Sequence, residues 1–120
     1  MTVTPWDVTS PRNQLTLVGV VHVDPEGWSL ALIKWQVDAG RKRALAIRWD
    51  AWAGSPCGYP HAFGARPQWF VMPETVACAT LGADGPLGEA RGRDALAWLY
   101  RKVEEVPPGV LLDRPEETAA

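Results

Sequence analysis

The stretch LTLVGVVHVDPEGWSLALIKWQVDAGRKRALAIRWDAW, residues 15–52, decides the fold. Apolar and polar residues alternate along three successive runs, the period of a strand with one covered face. In the first, Leu15 to Val23, the residues Leu15, Leu17, Val21 and Val23 share a face opposite Thr16 and His22. Asp24-Pro25-Glu26-Gly27 then reads as a tight turn, because proline presets φ and glycine accepts a positive one. In the second run, about Trp28 to Val37, the residues Ala31, Ile33, Trp35 and Val37 oppose Leu30, Leu32, Lys34 and Gln36. Residues 38–43 are expected to form a hairpin loop with the basic tip Arg41-Lys42-Arg43. The third strand, about Ala44 to Trp52, sets Leu45, Ile47 and Trp49 against Ala46, Arg48 and Asp50. This predicts an antiparallel sheet covered on its apolar side and wet on its charged side.

Outward from that core, residues 53–67 form a long loop rich in glycine and proline, and Gln68 to Met72 reads as a fourth strand. Pro73-Glu74 suits the first turn of a helix, ending by Leu81 before Gly82. A flexible loop over 82–92 leads to an amphipathic helix from Asp94 to Val106, with Leu96, Leu99, Tyr100 and Val103 at helical spacing. The expectation is an α+β fold, a four-stranded antiparallel sheet (ββββα) with an additional C-terminal helix. Its parts are a flexible arm over 1–14, a single domain over 15–106 and a disordered acidic tail over 107–120.

With 120 residues, 47% of them hydrophobic and 22% charged, one such domain can bury enough surface to fold without disulfide or metal staples. No apolar run is long enough for a membrane span, and the first residues lack the layout of a signal peptide. A cytoplasmic protein without membrane contact is expected, with Cys57 and Cys78 reduced. The net charge is −2, but five acids and one base fall between Glu104 and Ala120, so the body is mildly basic. Such a balance provides no bulk electrostatic attraction for nucleic acid. The seven tryptophans are unusual: indoles fill cores, and they also furnish binding surfaces and stacking platforms.

Catalytic signatures are absent: no phosphate-binding glycine loop, no GxSxG and no HExxH. Cys57, His61, Cys78 and His22 are zinc-ligand types, but the paired spacing of a structural site is missing. No metal or other cofactor is expected. A thiol or serine beside His22 or His61, oriented by Asp50, would be needed for nucleophilic catalysis, and nothing in the spacing favours it. The chain reads as a binding protein, not an enzyme.

Gly19-Val20, Pro25-Glu26-Gly27-Trp28, Leu32, Trp35 and Ile47-Arg48-Trp49 together resemble the bacterial members of the positive-cofactor-four family. Those are single-stranded-DNA-binding proteins related to Whirly, and the similarity covers residues 15–81. The two tryptophans of the second strand stand closer than in the family, Arg48 directly precedes Trp49, and the loop 53–67 is longer. The resemblance implies a homodimer whose sheets present a groove for single strands.

On that expectation Lys34, Arg41, Lys42, Arg43 and Arg48 contact phosphates while Trp28 and Trp52 stack on bases, an attraction of about 1–3 kcal/mol per base. Ordinary structural roles compete: Trp35 and Trp49 as core beside Ile33 and Ile47, and the basic run as a solvated tip. An alternative use is a protein–protein contact through the loop residues Tyr59, His61, Phe63 and Arg66, as in an inhibitor module of a phage or mobile element.

Overall fold

The computed structural model describes residues 4–9, 14–37, 40–50, 58–62 and 66–115. A turn of 3-10 helix, Pro5–Asp7, is followed by β1 (Leu15–Val23), β2 (Trp28–Val37), β3 (Gly40–Trp49), β4 (His61–Ala62), β5 (Arg66–Pro67) and β6 (Phe70–Val71). Two helices follow, α1 (Glu74–Thr80) and α2 (Gly88–Leu99). β1, β2, β3 and β6 form one antiparallel sheet in that order, and β4 with β5 forms a small second ladder. The α+β class, the four-stranded antiparallel sheet and the C-terminal helix are as the sequence indicates.

The β1–β2 turn forms for the reason expected. Gly27 has φ 101° and donates to the Asp24 carbonyl at 3.0 Å, while the Asp24 carboxylate accepts from Glu26 N–H at 2.9 Å. The next connection is shorter than expected, because Val37 already pairs with Gly40. Arg41, Lys42 and Arg43 therefore belong to β3 and are not a loop tip.

The main departure concerns the faces of the sheet. Cross-strand partners share a face, and the register pairs Lys34 with Arg43 but Arg48 with Ser29. Lys34 and Arg48 thus stand on opposite faces, and no face collects both. Neither face is open through its middle. On one side Leu30, Leu32 and Leu45 pack with Ala77 of α1, Ala95 and Trp98 of α2 and Val110. On the other, Ala31, Ile33 and Ala46 pack with Leu15, Val8 and Trp69. β1 serves both cores, because register shifts after Leu17 and Val20 change which side its residues point to; Leu15 joins the second core and Val21 the first. Bulges of this kind defeat simple alternation.

Both terminal segments are structural where they are described, correcting the expected flexible arm and disordered tail. Val8 is fully buried, and its carbonyl accepts the Trp69 indole N–H at 2.7 Å. Past α2, Val110 is fully buried and Leu112 N–H donates to the Val20 carbonyl of β1 at 2.8 Å. Arg91 ties that strap down through the carbonyls of Gly109, Val110 and Val21. Among the described residues no helix is long and apolar enough to cross a membrane.

Candidate interaction surfaces

Trp49 ends β3 on the face covered elsewhere by the helices. Two residues earlier Ile47 still packs on the helix-side core, yet Trp49 is 48% exposed. It exchanges both backbone bonds with Tyr59, at 2.7 and 2.9 Å, while Phe70 pairs with Ile47. Pairing puts the three rings on one side of the sheet, and Tyr59 and Phe70 are 58% and 56% exposed. Trp28, partner of Trp49 across β2 and β3, is half-buried and extends the row toward His22, whose ring centroid lies 5.0 Å away. This row is an aromatic ledge at the end of the sheet.

Arg48 braces the ledge from beneath. Its residue is 2% exposed, so it does not stand on a wet face within reach of phosphates. Its Nη1 donates to the Gln68 carbonyl at 2.7 Å, and its Nε lies 3.6 Å from Asp50 Oδ1. The other Asp50 oxygen accepts the Ser29 hydroxyl. Burial pushes the Asp50 carboxyl above its usual range, against the opposing pull of Ser29 and Arg48. Gly58 makes the close approach possible. At φ 71°, a Cβ there would lie 2.2 Å from the Trp49 carbonyl oxygen and 2.3 Å from an Arg48 nitrogen.

A carboxylate, that of Asp24, stands by the Trp28 end of the ledge, the Asp24 N–H donating to the Trp28 carbonyl at 2.8 Å. The His22 ring at 3.0 Å and the Glu26 amide hold the Asp24 carboxyl below the usual carboxylate range. A group of exposed cations stands at the opposite end of the strands, about 20 Å away for the six-residue run from Arg43 to Trp49 at the usual strand rise. There Lys34, Arg41 and Lys42 are exposed. Arg43 is not: its guanidinium donates to the carbonyls of Trp98, Val103 and Glu104 at 2.9, 2.7 and 3.0 Å and lies 4.9 Å from the centre of the Trp98 ring. It closes the end of α2 instead of offering a contact. Trp28 and Arg48 therefore stand at one end of the sheet, and Lys34, Arg41, Lys42 and Arg43 at the other.

Of the remaining expected site residues, Trp52 and Phe63 lie outside the described residues. His61 and Arg66 fall in β4 and β5, in the segment expected to be loop. Among the described residues no group of three His, Cys, Asp or Glu side chains gathers. Sequence alternation assigned Trp49 to the core and passed over Phe70. The missed signal is length: α1 and α2 span 7 and 12 residues and leave the Trp49 end of β3 uncovered. No family model, curated protein or solved structure matches the chain.

Proposed function

We propose that this protein is a non-catalytic binding module that docks another protein through the ledge formed by Trp49, Tyr59 and Phe70. The observation that carries this reading is three large aromatic side chains, each about half exposed, aligned on one sheet end. Burying such rings in a partner is the usual source of interface energy, and tyrosine and tryptophan are enriched among the residues that dominate it. The Asp24 carboxylate nearby suits a polar or basic rim and opposes a polyanion. In the cytoplasm, where this reading places the protein, the free Cys78 stays a thiol. The test is capture from cell extract after nuclease treatment, comparing the native chain with Trp49→Ser/Tyr59→Ser. Nuclease-resistant capture that the double variant loses, with its melting temperature retained, supports the reading. Capture that disappears with nuclease, or survives in the variant, sinks it.

Single-stranded nucleic acid is the second reading, favoured by one observation: Lys34, Arg41, Lys42, Arg101 and Lys102 are all exposed, and Arg101 reaches the Arg41 backbone. Contact there would be mainly with phosphates, with Tyr100, 45% exposed, the ring beside the cations.

A further inference from the structure

β3 has an outer edge that its neighbour covers only in part. β6 pairs with Ala46 and Ile47 alone, Met72 N–H donates to the Leu45 carbonyl at 2.8 Å, and Pro73 then diverts the chain into α1. From Leu45 back to Gly40, no strand among the described residues pairs with that edge. The Trp49–Tyr59 and Met72–Leu45 bonds fix the phase: odd-numbered residues of β3 turn their backbone groups outward, so Arg41 and Arg43 present theirs on the uncovered stretch. A cavity of about 410 Å³ lies against it, lined by Arg43, Leu45, Met72, Cys78, Leu99 and Arg101 among others, with Glu74 the only acid among its described residues and Lys42 a further cation.

Arg101 supplies a second, independent observation. It takes φ 60° just past the end of α2, the one non-glycine residue with positive φ among those described. Its N–H bonds to the Trp98 carbonyl, and Lys102 N–H reaches back to Ala97. Glycine is the usual occupant of this helix-ending position, because a side chain is strained there. The strained backbone places the guanidinium so that Nη2 donates to the Arg41 carbonyl at 2.8 Å, the acceptor an added strand would use. Strain held in this way is a reason to look for function.

We propose that the open edge of β3 from Gly40 to Ala44, with the cavity beside it, docks an extended acidic peptide from a partner protein as an added strand. The peptide's N–H takes the Arg41 carbonyl and releases Arg101 to meet a peptide carboxylate. Apolar side chains enter the cavity on the Arg41 and Leu45 face of the strand, and the alternate acidic ones face Lys42 on the other. Adding a strand to an exposed edge draws affinity from backbone bonds and specificity from alternate side chains. The cations bar indiscriminate strand pairing and admit a partner of opposite charge. This surface is separate from the aromatic ledge and does not depend on it.

The test uses the full chain, isotope-labelled, and an acetylated Glu-Val-Glu-Val-Glu-Val peptide followed by amide NMR and calorimetry. Shifts centred on residues 41–45, 72–78 and 99–102 are expected, with no response to the Lys-Val counterpart. Arg41→Pro removes an outward N–H where an edge strand tolerates proline; Arg101→Gly removes a charged contact and relieves the strained backbone. Each should weaken binding about tenfold, with the melting temperature of Arg101→Gly unchanged or higher and Arg101→Lys restoring part of the affinity. Trp49→Ser should bind the peptide as the native chain does. No shifts at millimolar peptide, equal binding of the lysine peptide, or native affinity in both edge variants overturns the proposal. Tighter binding of oligothymidine at the same amides assigns the edge to nucleic acid instead.

Discussion

Arg48 is a charged side chain held almost wholly out of water, its residue 2% exposed and its guanidinium bonded to the Gln68 carbonyl at 2.7 Å. The register sets it against Ser29 and within reach of Asp50. Nothing local encodes that burial, because the carbonyl that accepts from its guanidinium belongs to Gln68, 20 residues further along the chain. Removing one partner of a buried ion pair costs about 3–5 kcal/mol, so Arg48→Ala should lower unfolding free energy in urea by that order. A loss below about 1 kcal/mol, the range of an exposed pair, would show that the brace is not structural. Gly58→Ala should also destabilise, since both its backbone conformation and the space around it exclude a side chain.

The same residues make an ordered prediction about acid. Burial raises the Asp50 carboxyl above its ordinary value of 3.8; the folded state holds the proton more tightly, so the Asp50 contribution falls as pH rises from 3.8 through its folded value. Asp7, lowered chiefly by the Thr4 hydroxyl, and Asp24, lowered chiefly by His22, behave oppositely. Their contributions are present above 3.8 and are lost as pH falls below it. Carboxyl carbon NMR should therefore find Asp50 titrating last as acid is removed, above both others. Asp50 titrating with or below Asp24 would contradict its burial.

At the scale of elements, legibility followed locality. β2 and the Asp24–Gly27 turn could be read because alternation and turn chemistry are encoded within a few residues. α2 was placed too late, at 94–106 instead of Gly88–Leu99, because Val103 continues the apolar spacing after the helix has stopped. Arg43 and the Arg101 backbone end it, and the first of these lies on another element. β6 shrank from five expected residues to two as Pro73 and α1 drew the chain off the edge. The prolines and acids of 107–120 predict a disordered tail, whereas Val110 within it belongs to the core. Val110→Ala should cost roughly 1–2 kcal/mol, somewhat less than the deletion of a larger buried side chain, measured by urea denaturation. Hydrogen exchange should find the Leu112 amide protected in step with β1; free exchange at Leu112 would mean that the strap is loose.

At the scale of the whole molecule, two chemically unlike ends are joined by a sheet buried on both sides. Trp49, Tyr59, Phe70 and the Asp24 carboxylate sit at one end, and Lys34, Arg41 and Lys42 with the Tyr100 ring at the other. The sequence showed both ingredients but not their separation, since alternation cannot reveal which strand face a distant helix covers. If oligonucleotides bind, the ionic end predicts the response. Four neutralised phosphates give a slope near −3 in log affinity against log salt, roughly a 60-fold loss from 50 to 200 mM. Calorimetry at graded salt measures it, and a flat response excludes phosphate contact.

The uneven setting of the indoles gives the ledge its own optical label. Trp69 and Trp98 are 4% and 2% exposed, while Trp49 is 48% exposed. Excited at the red edge, the chain should emit from a water-relaxed population that iodide quenches and to which Trp49 contributes. A partner seated on the ledge would dry that ring, moving the emission to shorter wavelength and closing it to quencher, with no dye attached.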